Sequence, residues 1–294
     1  MDRLHELAEI TRRHAFAGVS PDTCPGMLLI EADAVTPAQH LVYEPMLCVI
    51  LRGAKRTTLG SRSYTYRAGD YLVVSADLPV SGQVLEAPYS AIGIPLDPVT
   101  IAGLMLETEA PAAEAAPVRV LAVNRMDDGL LDAVGRLIGL LDRPSDVPVM
   151  APMIRREILW RLLAGEASEM VRQIGTADGR LARVQRVIRR LREDYAEPIR
   201  IGELAALAGM SETSLHRHFK AATSMSPLQF QKQVRLQQAR NLLLAEGRDV
   251  AGVGFAVGYD SPSQFSREYS RQFGRPPGRD LDRLRREPLG AAVL

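Results

Sequence analysis

The sequence predicts an α+β protein in which a strand-rich N-terminal domain precedes an all-helical C-terminal domain. In residues 27–96, short segments rich in Val, Ile, Leu and Tyr are separated by Gly, Pro and Asp, which predicts an antiparallel barrel or sandwich. From residue 180 onward, apolar residues recur at helical spacing instead. The stretch 175–179, which begins and ends with glycine, is the expected linker. It divides the chain into domains 1–175 and 180–294.

The predicted strands of the first domain are separated by residues that favour turns. Gly53 and the dipeptide Leu78-Pro79 are two such places, and we expect turns there. The near-regular spacing of the segments is typical of a barrel or a sandwich. The predicted strands lie within the segments MLLIEADAV, MLCVILRG, KRTTLG, SYTYR, DYLVVS, QVLEA and SAIGIPL.

Two helical segments follow the strands, after an expected loop from Glu107 to Pro117. The first covers residues 127–141 and the second covers residues 150–163. They could cap the barrel or pair with a second copy of the chain, and periodicity does not separate the two roles. The second segment has an apolar ladder formed by Ile154, Ile158, Leu159, Leu162 and Leu163.

The last third of the chain contains one unit twice, at an offset of 50 positions. Each copy follows a glycine, Gly209 or Gly258, that ends a short apolar helix, and a serine then caps the next helix. This arrangement predicts a helix-turn-helix, whose second helix enters the major groove of DNA. Two copies would read two successive grooves. The repeated positions are Ser211, Leu215, Arg217, Phe219 and Pro227, which recur as Ser261, Phe265, Arg267, Tyr269 and Pro277.

The second helix of the first unit has two distinct faces. Leu215, His218 and Phe219 recur at helical spacing and are expected to pack inward. Arg217 can donate two hydrogen bonds to a guanine, and His216 can bond to a base edge. A contact with phosphate alone would also fit Arg217. The outward positions are Thr213, His216, Arg217 and Lys220. The apolar stripe expected on the preceding helix consists of Ile201, Leu204, Ala205 and Leu207.

The second unit follows the same plan. Gly252 and Gly254 lie inside its first helix, and each costs about 1 kcal/mol relative to alanine, which predicts a less rigid unit. A helix over residues 226–244 joins the units and could hold the two recognition helices near one DNA turn apart. The outward positions of the second recognition helix are Ser263, Ser266 and Arg267. The apolar stripe expected on the helix before it consists of Val250, Val253 and Val257.

Charge is distributed unevenly along the chain. From Arg180 onward there are 20 Lys and Arg against 12 Asp and Glu, a net charge of +8, whereas the preceding part has 16 against 23, a net charge of −7. A domain that neutralises phosphates gains affinity by releasing counterions. A merely solvated basic surface would show the same excess, so charge alone leaves both interpretations open.

The segment from Arg180 to Arg286 resembles the DNA-binding domain of the AraC/XylS family of bacterial transcription regulators. The motifs GMSETSLHRHFKAATSMSPLQF and VGYDSPSQFSREYSRQFGRPPGRD carry this resemblance. It implies binding to double-stranded promoter DNA, with bases read by the outward positions. Gly254 departs from the family, which usually has alanine there. The base-reading positions that carry over are Thr213, His216, Arg217, Ser263, Ser266 and Arg267.

The N-terminal region is similar to one branch of that family's effector domains, a cupin-like β-barrel followed by dimerisation helices. The carrying segments are YEPMLCVILRGAKRTTLG, YRAGDYLVVSADLPVSGQV and PMIRREILWRLLAG. The resemblance implies a homodimer whose barrel binds a small effector. We therefore expect a sequence-specific transcriptional activator, which would also contact RNA polymerase.

An enzymatic barrel tethered to DNA is the alternative from a different functional class. Barrels of this kind in enzymes hold a metal with clustered histidines, but residues 27–96 contain only His40. Two or three converging ligands are needed, so we expect no metal site and no catalytic residues. The sequence also lacks a phosphate-binding glycine loop. A passive architectural DNA binder would not need the barrel.

Two motifs suggest what the first domain could sense. Arg52 and Arg56 form an R-x-x-x-R pair, and Asp77 to Gly82 form a D-x-x-x-x-G run, which together resemble the PilZ-type signature for cyclic di-GMP. Arginine forks bind phosphate and stack on bases, so cyclic di-GMP is the leading effector candidate. The alternative is a solvated hairpin exit and an ordinary turn, because short motifs have many chance matches.

Cysteine chemistry gives the second effector hypothesis. Cys48 lies in an apolar predicted strand and could sense an aldehyde or another electrophile, although a buried thiol is usually inert. Cys24 is the other cysteine of the chain. With no apolar stretch of membrane-spanning length and no apolar centre of a secretion signal, we expect a cytoplasmic protein with reduced thiols and no membrane contact.

Overall fold

The computed structural model divides the chain into two compact units. The division falls between Ala182 and Arg183, shortly after the predicted linker. None of the described helices is both long and apolar enough to cross a lipid bilayer. The structure describes residues 3–16, 27–108, 119–176, 179–246 and 249–286.

One antiparallel sheet dominates the first unit. Within the described residues it has seven strands, of which β3 and β6 are much the longest and pair with each other along most of their length. The strands are β1 (Leu28–Ala32), β2 (Gln39–Tyr43), β3 (Met46–Leu59), β4 (Arg62–Arg67), β5 (Asp70–Val74), β6 (Leu78–Pro95) and β7 (Leu121–Arg125).

The sheet bends where β3 and β6 change register. Shifts occur between Ile50 and Lys55, and such irregularities bend a strand and increase its twist. Gly53 lies within this stretch at φ +75, and a Cβ there would meet the carbonyl oxygens of Glu86 and Pro88, so glycine is required. On one side of the bend β1 and β5 flank the long pair, and β7 extends the sheet beyond β5; on the other side β2 and β4 flank the pair.

The predicted antiparallel barrel is observed as a bent, open sheet. In the described part of the chain, hydrogen bonding runs β1-β6-β3-β5-β7 with β2 and β4 as side branches, and no pairing joins the ends of this path. The antiparallel arrangement itself was predicted. Register shifts of this kind bend a strand, and the described strands do not close into a ring.

Several strand boundaries also differ from the prediction. Gly53 and Leu78-Pro79 were expected to form turns, but Gly53 lies inside β3 and Leu78-Pro79 begins β6. Register shifts tolerate a left-handed glycine without ending a strand. β2 was not predicted, nor was β7. Residues 109–118 of the expected Ala-rich loop lie outside the described residues, and Glu107 ends a helix.

Helices pack on the sheet and on each other in the first unit. Helix α1 covers β1, β3 and β6, and α3 packs against α4. The helices predicted over 127–141 and 150–163 correspond to α3 and α4, whereas α1, α2 and α5 were not predicted. The five helices are α1 (Arg3–Phe16), α2 (Pro98–Glu107), α3 (Asp128–Gly139), α4 (Val147–Ala164) and α5 (Ser168–Gly175).

The apolar residues predicted as a ladder on α4 pack within the first unit. Ile154, Ile158 and Leu162 are buried in the first unit, so they cap the fold and are not available to a second copy. A different face of α4, which also contains Arg156 in an ion pair with Glu107, exposes large apolar side chains. Its large side chains are Val149, Met150, Met153 and Trp160.

The second unit is all helical and repeats one arrangement. Helices α7, α8 and α9 form the first copy, and α10, α11 and α12 form the second, while α6 precedes both. The described helices are α6 (Arg180–Glu193), α7 (Ile201–Ala208), α8 (Glu212–Thr223), α9 (Pro227–Glu246), α10 (Val250–Ala256), α11 (Pro262–Phe273) and α12 (Pro277–Arg286).

The local signals at both turns are confirmed. Gly209 and Gly258 adopt left-handed conformations with φ +59 and +87. The hydroxyl of Ser211 accepts a hydrogen bond from the Ser214 amide, and that of Ser261 accepts one from the Gln264 amide. Each helix-turn-helix therefore has a left-handed glycine at its turn and a serine cap at the start of its second helix.

Helix α9 contributes to the cores of both copies. Near its start, the Phe230 ring packs edge-on against Phe219 of α8, with centroids 5.5 Å apart. Farther along, α9 joins α10 and α11 in one apolar cluster. The described members of this cluster that are buried are Leu236, Ala239, Leu243, Val253, Val257, Tyr259, Phe265 and Tyr269.

Two details of the first helix in each copy were not predicted. Leu207 was expected to be buried but is 42% exposed, and Ala208 is buried in its place. Ala208 lies four residues after the buried Leu204 and so shares its face of α7, whereas Leu207 does not. Gly254 is buried, and a Cβ there would lie 3.1 Å from the Phe265 ring. Glycine thus allows close approach of α10 and α11, whatever it costs in helix propensity.

We expect Gly258→Ala to destabilise the protein more than Gly274→Ala. Both glycines are left-handed, so alanine costs about 1–2 kcal/mol at each. At Gly258 the added Cβ would also run into the carbonyl oxygen of Ala196, whereas nothing lies within 4 Å at Gly274. Urea unfolding followed by circular dichroism measures both. Equal losses would show that the close approach at Gly258 does not contribute.

Candidate nucleic-acid interface

The outward face of α8 is open to solvent. Its inner residues Leu215 and Phe219 are fully buried, and His218 is half-buried. This division follows from the helical spacing of the apolar positions. The four predicted DNA-contacting residues on the opposite side are all exposed, and they are Thr213, His216, Arg217 and Lys220.

The outward face of α11 follows the same pattern with one difference. Ser263 and Arg267 are exposed, whereas Ser266 is half-buried and its carbonyl accepts a hydrogen bond from the Ser270 hydroxyl. Arg271 is also exposed, one turn after Arg267, and was not predicted as a site residue. The spacing of four residues could have identified it.

The cations on these two faces are available for a ligand. In the portion of the chain that the structure describes, no ion pair or side-chain hydrogen bond engages Arg217, Lys220 or Arg267. Neighbouring charges behave differently: Lys232 binds Glu268 at 3.0 Å, and Glu268 also accepts a hydrogen bond from Tyr259 at 2.9 Å. The free cations therefore lie where phosphates or base edges would approach.

A single arginine holds the two copies together. The Arg235 guanidinium, on α9, donates to the carbonyl of Tyr195 at 2.6 Å and to that of Gly258 at 2.7 Å. Its remaining Nη donates at 3.0 Å to the carbonyls of Ala196 and Glu197. The segment before α7 is thereby joined to the turn of the second copy. This residue was not predicted, since nothing in the helical pattern distinguishes it from a solvated arginine.

The last helix is tied to α9 by a buried charged network. Arg240 binds Asp280 at 3.0 Å, and the Tyr269 hydroxyl donates to the same carboxylate at 3.0 Å. Burial raises the pKa of Tyr269, so its hydroxyl stays protonated and donates. The Arg240–Asp280–Tyr269 network therefore joins α9, α11 and α12 on the side of the core opposite the outward face of α11.

The four residues predicted to bind cyclic di-GMP are distributed over different surfaces. Arg52 lies 3.3 Å from Glu9 of α1, and Arg56 is exposed on the face of β3 that points outward. Gly82 pairs with Thr57, and a Cβ on it would point at Lys55, on the inner face. Asp77 is half-buried just before β6. Arg56 and Gly82 thus lie on opposite faces of the sheet.

The structure also describes the surroundings of Cys48 and of the residues that could bind a metal. Cys48 is buried, and burial raises the pKa of its thiol to about 11, although Lys55 partly opposes this shift. The thiol is protonated at neutral pH, which disfavours reaction with an electrophile. Cys24 lies outside the described residues. Among the residues that are described, no three His, Cys, Asp or Glu side chains cluster as a metal site would require.

Family models account for both units. Residues 23–170 match the N-terminal domain of AraC-type transcriptional regulators, and residues 204–283 match a helix-turn-helix domain. The chain belongs to the AraC family. The AraC-type match covers the sheet and the helices α2 to α4, and the second covers both recognition helices.

Curated relatives of this AraC-family chain are regulators. The HTH-type transcriptional activator RhaS of Salmonella schwarzengrund is 27% identical over 160 residues, which are 53% of this chain and 56% of RhaS. RhaS of Escherichia fergusonii is 29% identical over 155 residues, 52% of this chain and 55% of that protein. The chain thus spans about half the length of these relatives. Both are transcriptional activators by name, which agrees with the prediction that this chain is not an enzyme.

Solved structures share the two-part fold. An apo form of a ToxT point variant from Vibrio cholerae matches 87% of this chain and 96% of its own, with a TM-score of 0.55 at 10% identity. ToxT from the same organism bound to a naphthalenyl butenoic acid matches 88% and 99%, with a TM-score of 0.56 at 9% identity. The order of an antiparallel sheet followed by a helical domain is therefore confirmed.

We expect Arg235→Lys to lower the free energy of unfolding by about 2–4 kcal/mol, because lysine cannot reach all four carbonyls. The matched control is Arg200→Lys: Arg200 makes an exposed pair with Glu203 at 3.4 Å, so its effect should stay within about 0.5 kcal/mol. Urea unfolding measures the stability, and amide exchange at Gly258 reports local opening. Similar losses in both variants would contradict the role of Arg235.

Proposed function

We propose that the protein is a sequence-specific, DNA-binding transcriptional regulator whose helices α8 and α11 enter successive major grooves. The observation that carries this proposal is the pair of equivalent helices with exposed polar faces and free cations, whose opposite faces are buried in the helical core. Helix-turn-helix proteins place such a second helix against base edges. The basic excess of this part of the chain supports phosphate contacts.

Activation is the sign of regulation that the relatives favour. The RhaS proteins are transcriptional activators, and we infer the same role for this chain. An activator would also contact RNA polymerase. Residues of α8 and α11 that face DNA cannot serve that contact at the same time, so it would involve another surface of the second unit.

A small effector bound by the first unit is the second part of the proposal. ToxT from Vibrio cholerae has been crystallised with an unsaturated fatty acid, which supports small-molecule binding by a protein of this fold. For regulation, the effector must bind more tightly to one of two states that differ in DNA affinity.

Cyclic di-GMP stays a prediction for this effector. Arg56 is exposed and could bind a phosphate, but Arg52 would have to leave Glu9, and Gly82 is on the inner face. Binding of promoter fragments with and without cyclic di-GMP decides this point.

A homodimer formed through α4 is the remaining part of the proposal. Val149, Met153 and Trp160 share one face of α4 by helical spacing, and all three are exposed. Large apolar side chains grouped on one helix favour burial against a partner. A second copy is the natural partner, because a dimer presents four recognition helices and lengthens the DNA site.

We expect Arg217→Ala to weaken binding to the specific promoter site by about 1–3 kcal/mol, the loss of one bidentate base contact. Fluorescence anisotropy across a salt series, on specific and random duplexes, measures it. Arg56→Ala is the control, since Arg56 is an exposed arginine of the other unit. Equal weakening on both duplexes would make Arg217 a phosphate contact, and binding to neither duplex by the unmodified protein would refute the proposed function.

We expect Met153→Lys to dissociate the dimer, because a charge would enter an apolar interface. Met153 is 62% exposed in one copy, so the substitution should leave the fold of that copy intact. Val35→Lys is the matched control, since Val35 is equally exposed at 63% but lies outside α4. Sedimentation velocity measures the association state. A dimer that survives Met153→Lys would exclude this face of α4.

A further inference from the structure

The inner face of the bent sheet contains a buried lysine without an anionic partner. Lys55 of β3 is 1% exposed, and its Nζ lies 5.6 Å from the centroid of the Tyr43 ring and 5.8 Å from that of Tyr89. Across the described residues, no carboxylate or hydrogen-bond acceptor binds this amino group. Two aromatic rings compensate only part of the cost of removing an ammonium from water.

The hydroxyl of Tyr89, whose ring Lys55 Nζ faces, also lacks a partner. The Tyr89 side chain is fully buried, and its hydroxyl makes no hydrogen bond. Burial raises the pKa of Tyr89 well above its usual range, so the group is a donor at neutral pH. Buried polar groups in native proteins are nearly always bonded, so an unpaired one indicates an absent partner.

Three other hydroxyl groups nearby satisfy one another, and the buried Cys48 thiol lies close enough to interact with Lys55. The Thr57 hydroxyl lies 2.7 Å from that of Tyr66 and 3.1 Å from that of Tyr43, and the two tyrosine oxygens are 3.3 Å apart. This trio forms one wall of the cluster and needs no further partner. The unsatisfied groups are therefore two donors, Lys55 Nζ and the Tyr89 hydroxyl, and what they share is the need for an acceptor.

The backbone is shaped to bring Lys55 inward. Just after the register shifts around Gly53, residues of β3 alternate between the two faces, so that Lys55 and Thr57 are buried while Arg56 is exposed. Gly82 leaves room for the lysine stem, because a Cβ on residue 82 would lie 3.0 Å from Lys55 Cε. A lysine at an ordinary outward position would need neither feature.

We propose that Lys55 and Tyr89 bind the carboxylate of a small organic acid, which is the effector of the first unit. A carboxylate has a single negative charge, which matches the single ammonium, and two oxygens, one for each donor. A phosphate would bring a second charge, and the arginines that could balance it, Arg52 and Arg56, lie outside this cluster. This inference rests on the proposed effector-controlled function.

The test uses the full chain and three carboxylates, acetate, butyrate and hexanoate, each compared with its neutral primary amide. We expect at least one acid, and not its amide, to raise the midpoint of thermal unfolding with increasing concentration. In Lys55→Met the dissociation constant should rise at least about tenfold, and in Tyr89→Phe it should rise by a smaller factor. Arg56→Met, on the outer face of the same strand, should bind as the unmodified chain does.

Lys55→Met keeps the length of the stem and removes the buried charge, so its midpoint without any acid should be equal or higher. If this variant fails to fold, Tyr89→Phe alone decides the test. The proposal is overturned if no acid shifts the midpoint, if an amide shifts it equally, or if Lys55→Met retains the full response.

Measuring promoter binding by the same proteins distinguishes a failure of the carboxylate site from a failure of the proposed DNA-binding function. Lys55→Met should still bind promoter DNA while losing any response to the acid. An unmodified chain that binds DNA but no acid refutes only the carboxylate site. A chain that binds an acid but no DNA refutes the regulator proposal and leaves the site standing.

Discussion

The geometry of the DNA-binding unit depends on Arg235. Its guanidinium donates to four carbonyl oxygens that come from two separated parts of the chain, and α9 itself packs in the cores of both copies. Removal from water disfavours the charged form and lowers the pKa of Arg235, and four charge-assisted hydrogen bonds offset that cost. The recognition helices are thus fixed by one rigid element and one polar clamp rather than by a deep core alone.

The first unit depends on a different constraint, the irregular stretch shared by β3 and β6. There the strands change register, and a left-handed Gly53 approaches neighbouring carbonyls. The bend makes the sheet enclose side chains on its concave side. Beyond the bend, the alternation of side chains along β3 exposes Arg56 and buries the adjacent Lys55.

Features set by local chemistry could be predicted from the sequence, and features set by register could not. Gly209, Gly258, Ser211 and Ser261 were placed correctly because left-handed turns and helix caps involve only a few neighbouring residues. Gly53 was interpreted as a turn, since a single glycine looks the same in a turn and in a bulge. Lys55 was missed because charged strand residues are usually exposed, and only the tertiary structure shows which face of β3 is buried. Arg235 required a tertiary partner.

The continuous connector has a consequence for how this protein can change over time. Adding one residue to the middle of α9 would advance the second copy by about 1.5 Å and rotate it by about 100° around the helix axis. Its recognition helix would then face away from the groove beside the first. Substitutions on the outward faces of α8 and α11 can alter which bases are preferred. Insertions or deletions within α9 would instead change the rotation of one recognition helix relative to the other. The chain can drift in sequence preference far more easily than in the spacing of the sites it occupies.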